Sequence, residues 1–155
     1  MNPNSAAGLI EQLGLARHPE GGWYRETWRG APGADGRASG TAIQFLLAAG
    51  EASHWHRIDA DELWLWQGGD PLELRTADGD EKRVSTVVLG PSPASGHELQ
   101  ARVPAGAWQA AQLQSSAVGY CLVSCIVVPG FEFSAFELAP PGWSPNSTPN
   151  QDAAA

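Results

Sequence analysis

The sequence predicts an all-β barrel or sandwich carrying one short helix at its N-terminal end. Three observations lead there. Short segments rich in Trp, Val, Leu and Thr recur from Trp23 onward, about every eight to twelve residues, with Gly, Pro, Asp and Ser between them. No alternation of strands with helix-length amphipathic segments, the rhythm of a parallel sheet, follows Gly14. The chain has 155 residues, a length suited to one domain that builds its own core.

The elements read in order. Ser5 is placed to cap a helix whose apolar side is Leu9, Ile10 and Leu13, and Gly14 ends it. The stretch 17–22, Arg-His-Pro-Glu-Gly-Gly, is irregular because of its proline and paired glycines. Residues 23–28 form a strand and the Gly-rich 30–40 a loop. Strands follow at 41–47, 53–58 and 62–67, the last closed by Gly68 and Gly69. Segments 71–76 and 84–89 flank a hairpin turn at 77–80, and 91–96 is a loop. Strands at 97–103, 108–112 and 118–128 and a short segment at 131–138 complete the set. Residues 1–139 are expected to form the domain. The tail 140–155, rich in Pro, Ser and Asn, is expected to be disordered, with Trp143 alone suited to packing.

Composition narrows the function classes. Hydrophobic residues make up 43% and charged residues 17%, a globular balance. A net charge of -8 disfavours nucleic acid and anionic membranes as partners. The longest apolar run, 120–128, is interrupted by Ser124 and too short to span a membrane, and no basic-then-apolar leader is present. Cys121 and Cys125 lie four apart on one strand face, too far apart to bond to each other. They are expected as buried free thiols, and the cytoplasm is the expected compartment.

The chemistry concentrates around His54-Trp55-His56. Strand alternation puts both imidazoles on one face and Trp55 on the other. Glu62 opens the next strand after the turn 59–61, so a hairpin brings it beside the histidines. Gln109 enters a later strand behind the turn 103–107. Two imidazoles and a carboxylate on a β-surface are a ligand set for a divalent first-row metal; the alternative is a metal-free pocket with the same residues hydrogen-bonded. Trp64 and Trp66 share the face of Glu62, either as an aromatic lining for a planar or sugar-like ligand or as core. Alternation pairs Tyr24 with Glu26 and Arg25 with Thr27, and Arg25 suits either an anionic ligand group or a surface ion pair. Glu20 either caps backbone or joins the site. His18 and His97 read as an ordinary loop histidine and an ordinary strand-edge histidine.

The spacing Gly50-x3-His54-x-His56-x5-Glu62-x5-Gly68 resembles the first cupin motif, and Val103-Pro104-Ala105-Gly106 with Trp108-Gln109 resembles the second. More narrowly, the run from His18 to Thr27, the segments His56-Arg57-Ile58, Asp61-Glu62-Leu63-Trp64 and Gly69-Asp70-Pro71-Leu72-Glu73-Leu74, and the run from Pro129 to Leu138 are similar to the small single-domain cupins of the DUF985, or cupin-5, family. This resemblance, from about Leu9 to Leu138, implies a double-stranded β-helix (a jelly-roll barrel), a homodimer, and a small polar ligand, sugar- or nucleotide-like. It departs from the pattern where the second motif of metal-loaded cupins supplies a third histidine: that neighbourhood offers Gln109. A divalent metal on His54, His56, Glu62 and Gln109 is therefore expected to bind weakly. Likeness in fold to small cupins that epimerise nucleotide-linked sugars implies His56 as base, Glu62 as its partner and Tyr24 or Tyr120 as acid, with Arg25, Trp64, Trp66 and Gln109 contacting substrate. The alternative is a non-catalytic, or metal-dependent, small-molecule-binding cupin.

Overall fold

The computed structural model describes residues 2–78 and 83–145. Helix α1 (Ala6–Leu13) is capped by Ser5, whose Oγ accepts from the Gly8 N–H at 3.1 Å, and it ends on Gly14 at φ 65°. Eleven strands follow: β1 (Ala16–Arg17), β2 (Trp23–Arg29), β3 (Thr41–Ala48), β4 (Ala52–Arg57), β5 (Asp61–Gly69), β6 (Leu72–Ala77), β7 (Ser85–Leu89), β8 (Gln100–Val103), β9 (Trp108–Leu113), β10 (Tyr120–Val128) and β11 (Glu137–Leu138). Among the described residues they form two antiparallel sheets, β1-β2-β3-β10-β5-β8 and β11-β4-β9-β6-β7. The sheets pack face to face as a jelly roll, which leaves few open edges.

Alternation sets the inner faces. In β10 every second residue, Cys121, Val123, Cys125 and Val127, is buried. These meet Phe45, Leu47, Trp64, Leu72, Leu74, Leu89 and Val103 in the main core. Cys121 and Cys125 are free and buried, as their spacing suggested. Outside the smaller sheet, Trp143 packs on Trp108 and Trp55, at ring distances of 4.6 and 6.4 Å. Residues 140–145 of the expected tail thus lie against the barrel; 146–155, and the hairpin turn at 79–82, lie outside the described residues.

Two irregularities redirect side chains. The β2–β3 register shifts between Glu26 and Trp28, and the β4–β9 register shifts between Ser53 and His56. The expectation that His54 and His56 share a face fails at the second of these. His56 is 3% exposed, whereas His54 is half-buried and donates from Nε2 to the Pro140 carbonyl at 2.9 Å. The segment expected as 131–138 is mostly a turn, with a 3-10 helix at Phe133–Ala135 ahead of β11.

Candidate functional site

A cavity of about 150 Å³ opens at one end of the barrel. Its floor carries His56, Glu62 and Cys125 from β4, β5 and β10, and the loop before β2 adds His18 and Glu20. Gly21 and Gly22, at φ 109° and 78°, let that loop lie against β4, where the Glu20 carbonyl accepts from the His54 N–H at 2.7 Å. Tyr24, Glu26 and Arg29 line the β2 wall, the bulge having turned Glu26 and Arg29 to the same side. The segment after β10 contributes Phe131, Glu132, Phe133 and Phe136.

The carboxylate that meets His56 is Glu20, not Glu62. Glu20 Oε2 lies 2.6 Å from His56 Nε2, and both side chains are buried. His56 Nδ1 donates to the His54 carbonyl at 2.7 Å. A carbonyl and a carboxylate only accept, so the ring holds a proton on both nitrogens when the pair is ionised. Burial opposes that charge, but Glu20, the hydrogen bond between them and Glu62 outweigh it and hold His56 above its ordinary value. For Glu20, burial pushes upward and the His56 charge and hydrogen bond prevail, so its carboxyl stays below the usual range. His56 is thereby engaged at both nitrogens, by the Glu20 carboxylate and by the His54 carbonyl.

Glu62 takes the opposite course. It is 7% exposed and receives Gln109 Nε2–H on Oε1 at 2.7 Å. Burial first, and the nearby Glu20 charge second, push its carboxyl up from 4.5 to about 7, against the pull of His56, Gln109 and the Cys125 thiol. The thiol of Cys125 is itself pushed well above its ordinary value by burial and the two carboxylates, which keeps it protonated. Gln109 relays onward, its Oε1 accepting from Trp64 Nε1 at 2.9 Å.

His18, read from sequence as an ordinary loop residue, is 7% exposed and lines the cavity. Its Nδ1 accepts the Glu20 backbone N–H at 3.1 Å, so the neutral ring carries its proton on Nε2. Burial lowers its pKa below the ordinary value, despite the upward pull of Glu20. The rings of Tyr24, Phe45, Phe131, Phe133 and Phe136 surround it, Tyr24 at 4.6 Å. Only its place in the turn before Glu20 could have marked it.

Of the other expected site residues, Tyr24 is on the cavity and several are not. Trp64 is sealed in the core at 1% exposure, and Trp66 packs against that core with Nε1 donating to the Asp70 carbonyl at 3.2 Å. Gln109 lies behind Glu62 at 0% exposure. Arg25 is on the exposed side of β2, because alternation sends Tyr24 and Glu26 inward; Arg29 occupies the cavity wall instead. Tyr120 begins β10 at the far end of the strand from Cys125 and Val127. The four-residue metal set does not converge: His54 is tied to Pro140, and Gln109 is held between Trp64 and Glu62. Among the described residues no group of three His, Cys, Asp or Glu side chains is placed to hold a metal ion. His54, His56, Glu62 and Gln109 therefore do not fit a shared metal ion.

Comparison with known proteins agrees with this architecture. The chain matches the family described as Cupin superfamily (DUF985) over residues 7–139. A solved structure from Shewanella oneidensis is 37% identical, covering 87% of this chain and 84% of that one, with a TM-score of 0.81. A hypothetical protein from Leishmania major is 35% identical over 87% of each chain, with a TM-score of 0.79. An oxalate decarboxylase from Bacillus subtilis shares the fold at 14% identity and TM-score 0.59, over 79% of this chain and 29% of that one. No curated protein matches. Among the described residues, no helix is long and apolar enough to cross a membrane.

Proposed function

This chain belongs to the DUF985 family of the cupin superfamily, and on that premise we propose that its cavity binds a small polar molecule and moves a proton at carbon, in the manner of an isomerase or epimerase. The observation that carries the reading is Glu62, a buried cavity carboxyl whose pKa is raised to about 7. Such a group takes and returns a proton near neutral pH. Glu62 in its carboxylate form removes a proton from the carbon next to a carbonyl, and the electron pair passes to the carbonyl oxygen. The Nε2–H of His18 or the hydroxyl of Tyr24 donates to that oxygen. Return of the proton from Glu62 to the neighbouring carbon completes an isomerisation; for an epimerisation Tyr24 delivers its proton to the opposite face and regains one from solvent as Glu62 releases its own. His56 and Glu20 are positioning residues: their charges help set the pKa of Glu62.

The cavity, at about 150 Å³, is smaller than the roughly 300–1,000 Å³ of drug-sized sites. It suits the reacting end of a free keto-sugar or similar small carbonyl compound better than a whole nucleotide-linked sugar. The test is a screen of small keto-compounds in deuterated water, read by mass. Exchange of a carbon-bound hydrogen should rise as pH passes through about 7, where Glu62 ionises, and should fall roughly 10²–10⁴-fold in Glu62→Gln. Absence of exchange in every compound that binds would leave the non-catalytic binding module as the better reading.

Cytoplasmic residence, which suits the two buried free thiols, and a homodimer belong to the same proposal. Trp28, Ala42, Ile126 and Leu63 stand in one register row across β2, β3, β10 and β5, and Trp28 and Leu63 are exposed. Light scattering at micromolar concentration should give twice the chain mass; a monomer mass would rule the dimer out.

A further inference from the structure

We infer that the cavity receives the positively charged end of its ligand, a protonated amine or quaternary ammonium, and that phosphate-bearing molecules are not its ligands. The inference deepens the proposed function by naming a ligand class for the same cavity, and it rests on that reading only for the reacting end.

Most of the charges in the cavity walls are already answered. Two cations face the cavity, Arg29 and His56. Arg29 is held by Glu26 through two hydrogen bonds, Nε to Oε1 at 2.7 Å and Nη2 to Oε2 at 3.1 Å, and by the Phe131 carbonyl at 3.2 Å. His56 is held by Glu20. His18, with Nδ1 accepting a backbone N–H, is neutral. Neither cation is thus left for an incoming anion. Two carboxyl groups, Glu62 at the floor and Glu132 at the mouth, face the same space, and the cation nearest Glu62, His56, is already paired with Glu20. Glu132 meets the Ser134 hydroxyl at 3.5 Å; Arg29 and Arg37, the cations that feel its charge, are each bound to another carboxylate, Glu26 and Asp59. A phosphate here meets uncompensated negative charge in a partly desolvated space.

The aromatic rings are an independent pointer. Tyr24, Phe131, Phe133 and Phe136 all line the cavity. Phe131 and Phe133 meet at 87° with centroids 4.9 Å apart, and Phe133 and Phe136 meet at 75° and 6.0 Å. Aromatic rings clustered at steep mutual angles around one cavity supply quadrupoles that an organic cation can meet, and Phe136 already lies tilted against the His56 ring at 5.5 Å and 32°. A neutral apolar group gains burial from the same walls but not this attraction. The difference between a cation and its uncharged isostere therefore isolates the effect.

Choline and 3,3-dimethylbutan-1-ol are such a pair, alike in shape and different in charge. Calorimetric titration of the full chain with each, and with inorganic phosphate, is the test. Choline should bind roughly 3- to 30-fold more tightly than the neutral alcohol, and phosphate should not bind. Glu132→Gln and Phe133→Leu, both at the accessible mouth, should each weaken choline several-fold and leave the alcohol nearly unchanged. Equal affinity for choline and the alcohol, tighter binding of phosphate, or no binding of choline overturns the inference. Selective choline binding together with no proton exchange in any amine-bearing ketone upholds it and sinks the catalytic reading alone.

Discussion

Glu62 and Trp64 lie two residues apart on β5, point to the same inner face and are both buried, yet their surroundings differ in kind. Glu62 reaches the cavity, with Glu20, His56 and Cys125 around it. Trp64 is packed among Phe45, Leu72, Leu74 and Val123, its ring edge-on to Phe45 at 5.9 Å. Gln109 marks the border, donating to Glu62 on one side and accepting from Trp64 on the other. One strand thus carries both the chemistry and the plug that closes the barrel behind it. The difference teaches that facing inward and facing a ligand are separate properties: the first follows from the period of the strand, the second from depth along the barrel.

Removing the plug should cost the most. Trp64→Ala deletes a fully buried indole, a change that typically destabilises by roughly 3–5 kcal/mol. It also leaves Gln109 Oε1 without its donor in a buried place, which adds about 1–3 kcal/mol. Urea unfolding should show a lower midpoint with an unchanged slope. A stability loss of less than about 1 kcal/mol, combined with a large loss of ligand affinity, would instead make Trp64 a wall of the binding site and dissolve the contrast with Glu62.

The same contrast explains which features are legible in the amino-acid sequence. The all-β architecture, the helix from Ser5 to Gly14 and most strand positions follow from local periodicity and turn residues, while β1 at Ala16–Arg17 is not expected from them and β8 starts at Gln100 rather than at His97. That Glu62 and His56 line the cavity is legible too, from strand alternation and the cupin-like spacing, whereas Tyr24 is marked only by the family likeness. Four things are not legible. Trp64, Trp66 and Gln109 share the inner face but not the depth of the cavity. His54 is turned away by a bulge, which breaks the two-residue period without a sequence mark. The partner of His56 escapes notice because Glu20 comes from an irregular loop, and only Gly21 and Gly22 determine where that loop lies. The bulge near Thr27 hides Arg29 in the same way.

The smallest expected effect is the most specific to Glu62. Its pKa is higher folded, about 7, than the ordinary 4.5. Between these values the native state keeps a proton that the unfolded chain has lost. The contribution of Glu62 is fully present below about pH 4.5 and disappears as pH rises through about 7, a change of roughly 3 kcal/mol. Glutamine at this position keeps an oxygen to accept from Gln109 Nε2–H but carries no charge at any pH. Titrating groups remote from Glu62 are common to both proteins and cancel in the difference, whereas the Glu20–His56 pair feels the Glu62 charge and shifts with it. Glu62→Gln should therefore gain stability relative to the native protein by about 1–3 kcal/mol on going from pH 5 to pH 8.5, measured by urea unfolding at both values. At pH 5 the two should nearly coincide. A difference that does not change with pH would mean that Glu62 ionises at an ordinary value, and it would then be a plain buried carboxylate rather than a proton-transfer group. Because the measurement needs no substrate, it separates the state of Glu62 from the question of what the cavity binds.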